Sequence, residues 1–150
     1  MKFTAKTQKL VNRALMAMEA EAPIYGIALS SADTSSQYCR LKIGHYENEK
    51  FLVLFLSSQH ELIEAEVMFS GTIDCASVYP REIVKRALEL NAAALIVSHN
   101  HPSNNPKPSR ADIEITKKIK SACGLMDISL LDHIVVTTDS SVSLAQQGLL

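Results

Sequence analysis

The chain has 150 residues, with 15 lysines and arginines against 16 aspartates and glutamates, for a formal net charge of −1. That length accommodates one domain with a full core, so folding requires no disulfide or metal staple. Hydrophobic residues make up 47% and charged residues 21%, which excludes a disordered or fibrous chain, and the charge balance lacks the basic excess with which duplex-binding modules contact phosphate.

Cys39, Cys75 and Cys123 are odd in number and form no C-x-x-C pair. Neither a disulfide framework nor a cysteine zinc knuckle is expected, and reduced thiols in a cytoplasmic protein fit this usage. The opening stretch "MKFTAKTQKLVNRALMAMEAEAP" is amphipathic and lacks the continuous apolar region of a signal peptide. The apolar runs "FLVLFL" and "AAALIV" are too short to span a bilayer, so no membrane association is expected.

In chain order, Leu10, Val11, Ala14, Leu15 and Met18 recur at helical spacing, predicting a helix over roughly 5–21 that ends before Pro23. "LSSADTSSQYCRLKIGHYENEK" reads as a short capped helix and a polar turn. "FLVLFLSS" is a strand buried on both faces, "QHE" a turn, and "LIEAEVMFSG" a second strand that closes a hairpin. "YPREIVKRALELN" is a helix with Pro80 near its first position and Ile83, Ala87 and Leu90 on one face. "AAALIVSH" is another buried strand. After a proline-rich loop, "SRADIEITKKIKSACG" has a serine N-cap and a glycine stop, with Lys117, Lys118 and Lys120 on a solvated face. "LLDHIVVTT" is a further strand and "VSLAQQGLL" a short last one. The order strand, strand, helix, strand, helix, strand specifies an α/β fold, a mixed sheet flanked by helices. His45 and His60 fall in polar turns and read as surface residues.

The loop "SHNHPSNNPKPSRAD", residues 98–112, carries the chemistry. Strand alternation places His99 and His101 on one face and Asn100 on the other. Two imidazoles converging at a strand end form the start of a metal site. Stepping back from the inward stripe Ile115, Ile119 and Ala122 puts Asp112 on the core side of the helix's first turn, where a carboxylate needs a partner. Two histidines and an aspartate, with a fourth position open to water, match a catalytic zinc arrangement. The residues by themselves also admit a plainer account, in which Ser109 and Asp112 form a capping box and the histidines are a surface pair.

"HNHPSNNPKPSRAD" resembles the JAMM signature of the MPN/JAB metalloprotease superfamily, H-x-H-P followed by P-S-x-x-D. The flanking "SVYPREIVKRALELNAAALIVSHNHPS" and "LLDHIVV" resemble the bacterial RadC family within it. The resemblance covers roughly residues 47–150, leaving residues 1–46 as an expected N-terminal helical extension. It implies a cytidine-deaminase-like α/β domain in which His99, His101 and Asp112 bind zinc and Ser109 helps hold the substrate carbonyl or the oxyanion formed from it. It also implies a glutamate on an earlier strand as general base. Glu49, two positions before Phe51, fits the family's spacing, and Glu66 is the alternative. Asp132 and His133 precede a buried strand, and either could stand behind the site without being a ligand. The family's usual glycine after H-x-H-P-S is here Asn104, a residue that tolerates a left-handed backbone.

The expected activity is zinc-dependent hydrolysis of peptide or isopeptide bonds in a peptide or protein substrate. The alternative is a DNA-repair or recombination accessory domain that acts by protein or nucleic-acid interaction with little catalysis. A metal-dependent nuclease ranks last, since one zinc with two histidines and an aspartate is not the two-metal cluster of many phosphodiesterases.

Overall fold

Two segments, β1 (Lys50–Leu56) and β3 (Ala94–Asn100), lie at the centre of the molecule, with Phe51 to Leu56 and all of β3 buried. A strand covered on both faces loses the alternation of a half-exposed one, which explains their continuous apolar spelling. They pair antiparallel within a five-stranded sheet of order β2-β1-β3-β4-β5, completed by β2 (Leu62–Ser70), β4 (Ser129–Val136) and β5 (Ser141–Ser143). β1 and β2 form the expected antiparallel hairpin, β3 and β4 run parallel, and β5 returns antiparallel, so the sheet is mixed. The computed structural model describes residues 3–20, 28–71 and 77–150; Pro23 and Cys75 lie outside them.

Alternation divides the strand side chains between two cores. On one face Leu52, Leu54, Leu56, Ile96 and Val136 meet Tyr38, Cys39 and Ile43 of α2 (Ala32–Ile43), with Leu15 and Met18 of α1 (Ala5–Ala20) packed against them. On the other, Phe51, Val53, Phe55, Leu95 and Val97 meet Ile83 and Ala87 of α3 (Pro80–Glu89) and Ile119 and Cys123 of α4 (Arg110–Gly124). Each leucine or phenylalanine buried this way contributes about 1.5–3 kcal/mol. The result is a three-layer α/β domain with helices on both faces of the mixed sheet. The boundary expected at residue 47 falls between α2 and β1, and α2 shares the first core with the sheet.

Helix ends follow local chemistry. The Ser31 hydroxyl caps α2 by accepting from the Thr34 amide at 3.1 Å. Pro80 opens α3, its missing N–H leaving one fewer unsatisfied donor. α4 ends at Gly124 as expected, but the left-handed residue is Asp127 (φ 56°), and the Ile128 amide donates back to the Cys123 carbonyl at 3.0 Å. The reversal therefore rests on an aspartate, which tolerates that region better than most side chains. In the β1–β2 turn His60 is left-handed (φ 61°), and the Ser57 hydroxyl accepts from the Gln59 and Glu61 amides at 3.2 Å each. His45 is not the surface residue its polar surroundings suggest: its ring stacks between Phe3 and Tyr46 at 4.7 and 4.4 Å, and burial lowers its pKa. Among the described residues no helix is long and apolar enough to cross a membrane.

Candidate metal centre

β3 delivers His99 to the α3/α4 side of the sheet, where it is 1% exposed, and His101 follows just past the strand end. Asn100 points the other way, as alternation requires. The histidine rings meet through their Nε2 atoms, 2.9 Å apart. Asp112, on the first turn of α4, brings Oδ1 to 3.2 Å from His99 Nε2 and Oδ2 to 3.4 Å from His101 Nε2. Among the described residues these three form the one cluster of histidine, cysteine or acidic side chains close enough to share a metal ion.

The capping account of Asp112 holds, and it leaves the carboxylate beside the histidines. Ser109 Oγ accepts from the Asp112 amide at 3.1 Å, and Asp112 Oδ2 accepts from the Ser109 amide at 2.6 Å. The capping box thus fixes the carboxylate's rotamer while both its oxygens face the histidines. The buried stripe of α4 runs through Thr116, Ile119 and Cys123, displaced by one residue from the expected Ile115 and Ala122. Asp112 still falls on it, one turn before Thr116.

The electrostatics favour a cation. Burial pushes the Asp112 carboxyl up, but the adjacent His101 and His99 rings and the Ser109 amide outweigh it and hold it well below the usual carboxylate range. The His101 pKa is raised, first by its bond to Asp112, against burial, with further support from the Asn105 carbonyl and the Asp112 and Glu49 charges. His101 Nδ1 lies 2.8 Å from the Asn105 carbonyl oxygen, which can only accept, so Nδ1 carries a proton and Nε2 is the nitrogen turned toward His99 and Asp112. Ligand atoms bound tetrahedrally to zinc at 2.0–2.1 Å are about 3.3 Å apart. The observed 2.9–3.4 Å spacings fit that set with little movement.

Glu49 and Glu66 separate clearly. Phe51 pairs with His99, Glu49 immediately precedes β1, and its charge acts on His101, which places it beside the cluster. Glu66 pairs with Val53 in β2, further down the sheet, and binds Arg86 of α3 at 2.8 Å. Ser109 is exposed at the mouth of the cluster, and because its Oγ accepts the capping bond, its own proton is not used by it. Asn104 is left-handed (φ 62°) and donates to Asp139 Oδ2 at 2.9 Å, so asparagine keeps the backbone form a glycine would adopt.

Three residues support the cluster, of which only His133, together with Asp132, is suggested by the sequence. Asn100 Oδ1 accepts from the Lys50 amide at 2.7 Å, and Nδ2 donates to the Tyr46 and Asn48 carbonyls at 3.1 Å each. The residue between the two histidines thereby grips the segment bearing Glu49. His133, fully buried on β4, lies with Nε2 2.8 Å from His99 Nδ1. Thr116 touches His133 from α4. The "LDH" tripeptide was the only signal for this contact, and nothing local distinguished His133 from Asp132. Asp132 turns away and accepts from the His133 amide (2.7 Å), Ser143 Oγ (2.6 Å) and the Ala145 amide (3.0 Å).

The family model for the RadC-like JAB domain matches residues 29–149. A UPF0758 protein of Vibrio cholerae is 51% identical over 83% of this chain and 78% of its own length. UPF0758 proteins of Leptothrix cholodnii and Cellvibrio japonicus are 48% and 52% identical over 95% and 82% of this chain. The chain spans only 62% and 55% of the length of those two relatives. A match over most of the chain, carried by a JAB-type sheet with His99, His101 and Asp112 gathered at one strand end, shows that the chain belongs to the RadC-like JAB domain family.

Proposed function

We propose that this domain is a single-zinc hydrolase that cleaves peptide or isopeptide bonds with water. The observation that carries the reading is the convergence of His99 Nε2, His101 Nε2 and both Asp112 carboxylate oxygens on one point. Two imidazoles and one carboxylate suit zinc. Zinc bound there would lower the pKa of a coordinated water to about 7 and polarise the scissile carbonyl.

The chain's own groups supply the rest. Glu49, whose charge acts on His101, accepts the proton of the attacking water and returns it to the leaving nitrogen, the general acid–base role. Ser109 directs its free hydroxyl proton toward the oxyanion that develops on the substrate carbonyl. The buried wall of Phe51 and His99 limits water on the sheet side, which strengthens these charge interactions.

The test is metal content by mass spectrometry, on the wild-type chain and on folded His99→Ala and His101→Ala variants, followed by a fluorogenic peptide and isopeptide screen. About one zinc per chain, lost in both variants, supports the reading. A chain that takes up no added zinc overturns it and leaves an accessory domain acting through interactions.

A further inference from the structure

A buried chain of hydrogen bonds runs behind the centre, from His99 through His133 and Thr116 to the backbone of Asp112. His99 Nδ1 lies 2.8 Å from His133 Nε2, His133 Nδ1 contacts Thr116 Oγ1, and Thr116 Oγ1 reaches the Asp112 carbonyl oxygen. His99, His133 and Thr116 are 1%, 0% and 0% exposed, so no bulk water supplies or removes a proton along the way.

The direction of the chain follows from proton counting. The Asp112 carbonyl can only accept, so the Thr116 hydroxyl donates to it. That uses the single Thr116 proton, so His133 must donate from Nδ1 to Thr116 Oγ1. A neutral imidazole with a proton on Nδ1 has a lone pair on Nε2. The His133 ring is fully buried and, among the described residues, has only His99 and Thr116 as hydrogen-bond partners, with no carboxylate bonded to it to offset a charge. His99 must then donate from Nδ1 to His133 Nε2, which leaves the His99 Nε2 lone pair pointing at His101 and Asp112. The opposite direction would leave Thr116 Oγ1 and the Asp112 carbonyl facing each other with no proton between two lone-pair-bearing oxygens. Three contacts and three protons are consistent in one arrangement only.

We infer that Thr116 and His133 are positioning residues that lock His99 in the tautomer with Nε2 free, so that the centre is prepared for a cation before one arrives. Ligating histidines usually donate their second nitrogen to a carboxylate or carbonyl, which are acceptors in any state. Here the acceptor is another imidazole, which accepts at Nε2 only because Thr116 and the Asp112 carbonyl dictate where its proton sits. The relay also ties two candidate ligands together, since it starts on the His99 ring and ends on the Asp112 main chain. The inference rests on the proposed metal-binding role of His99.

Two measurements test it. In the metal-free wild-type chain, long-range proton–nitrogen NMR of the imidazole rings should show His99 and His133 both protonated on Nδ1. A proton on Nε2 of either ring overturns the inference, and this readout needs neither a variant nor bound metal. Zinc affinity, measured in competition with a chromophoric chelator, should fall about 10–100-fold in Thr116→Val and recover in Thr116→Ser. Wild-type affinity in a folded Thr116→Val chain overturns it, because a merely structural threonine would change stability and not the lone pair. If the wild-type chain takes up no zinc, the proposed hydrolase fails, while the ring spectra still decide the relay.

Discussion

The Asn100 side chain accepts the Lys50 amide proton at 2.7 Å, so the residue between the two histidines anchors the backbone beside Glu49 from the opposite face of the sheet. Two further bonds from Asn100 reach the Tyr46 and Asn48 carbonyls. Removing the amide leaves one donor and two acceptors without it, and loosens the segment carrying the proposed base. Asn100→Ala should lower stability by about 1–3 kcal/mol and reduce turnover while zinc content stays at the wild-type level. Chemical denaturation, metal analysis and the peptidase assay measure the three effects separately; wild-type turnover would show that Glu49 does not depend on this clamp.

Glu49 and Glu66 should respond oppositely to neutralisation. Glu49→Gln should retain zinc and lose hydrolysis by about 100-fold or more, the scale of a general acid–base contribution. Glu66→Gln should leave activity intact and lose only the partly exposed Arg86 pair, worth roughly 1 kcal/mol or less. Steady-state kinetics on the two variants settle the assignment, and a fully active Glu49→Gln would transfer the role elsewhere.

The metal-free chain should lose stability on acidification through His133. Burial depresses its folded-state pKa well below the ordinary value. Below about pH 6.5 the unfolded chain takes up a proton that the folded chain resists, so stability falls as pH drops through that region. His101 acts in the other sense: its pKa is raised by Asp112, so its contribution is full below the unfolded value and lost as pH rises through the folded one. Comparing urea midpoints at pH 7.5 and 5.5 for wild type and His133→Gln, both treated with chelator, isolates the first effect. The difference between the two proteins should narrow at the lower pH, and a constant difference would show that His133 is protonated in the fold.

Asp132 holds the C-terminal turn and should matter for stability alone. Its carboxylate accepts three hydrogen bonds, two of them from Ser143 and Ala145 beyond the strand. Asp132→Ala should destabilise the fold by roughly 2–4 kcal/mol, with zinc affinity unchanged in the folded fraction. Thermal unfolding beside the chelator competition checks this, and a selective loss of zinc affinity would place Asp132 in the relay instead.

Much of this protein is decided within a few residues of each position. Continuous apolar spelling marks β1 and β3, a serine three residues before an aspartate caps α4, and period-two alternation puts His99 and His101 together with Asn100 opposite. These are consequences of backbone period and capping, which act locally. Even Asp112 could be placed inward from the helix pattern, although the stripe is centred on Thr116 and not on Ile115.

What only the tertiary structure decided are the pairings across long stretches of chain: Asp112 against both histidines, Asn100 against residues 46–50, His133 behind His99, and Glu66 held by Arg86 while the charge of Glu49 acts on His101. Each depends on strand order and register. Those are set by packing summed over the whole sheet, and a one-residue slip would turn every side chain to the other face. Local patterns in the chain specify which residues can face a centre, and the assembled sheet specifies which of them meet.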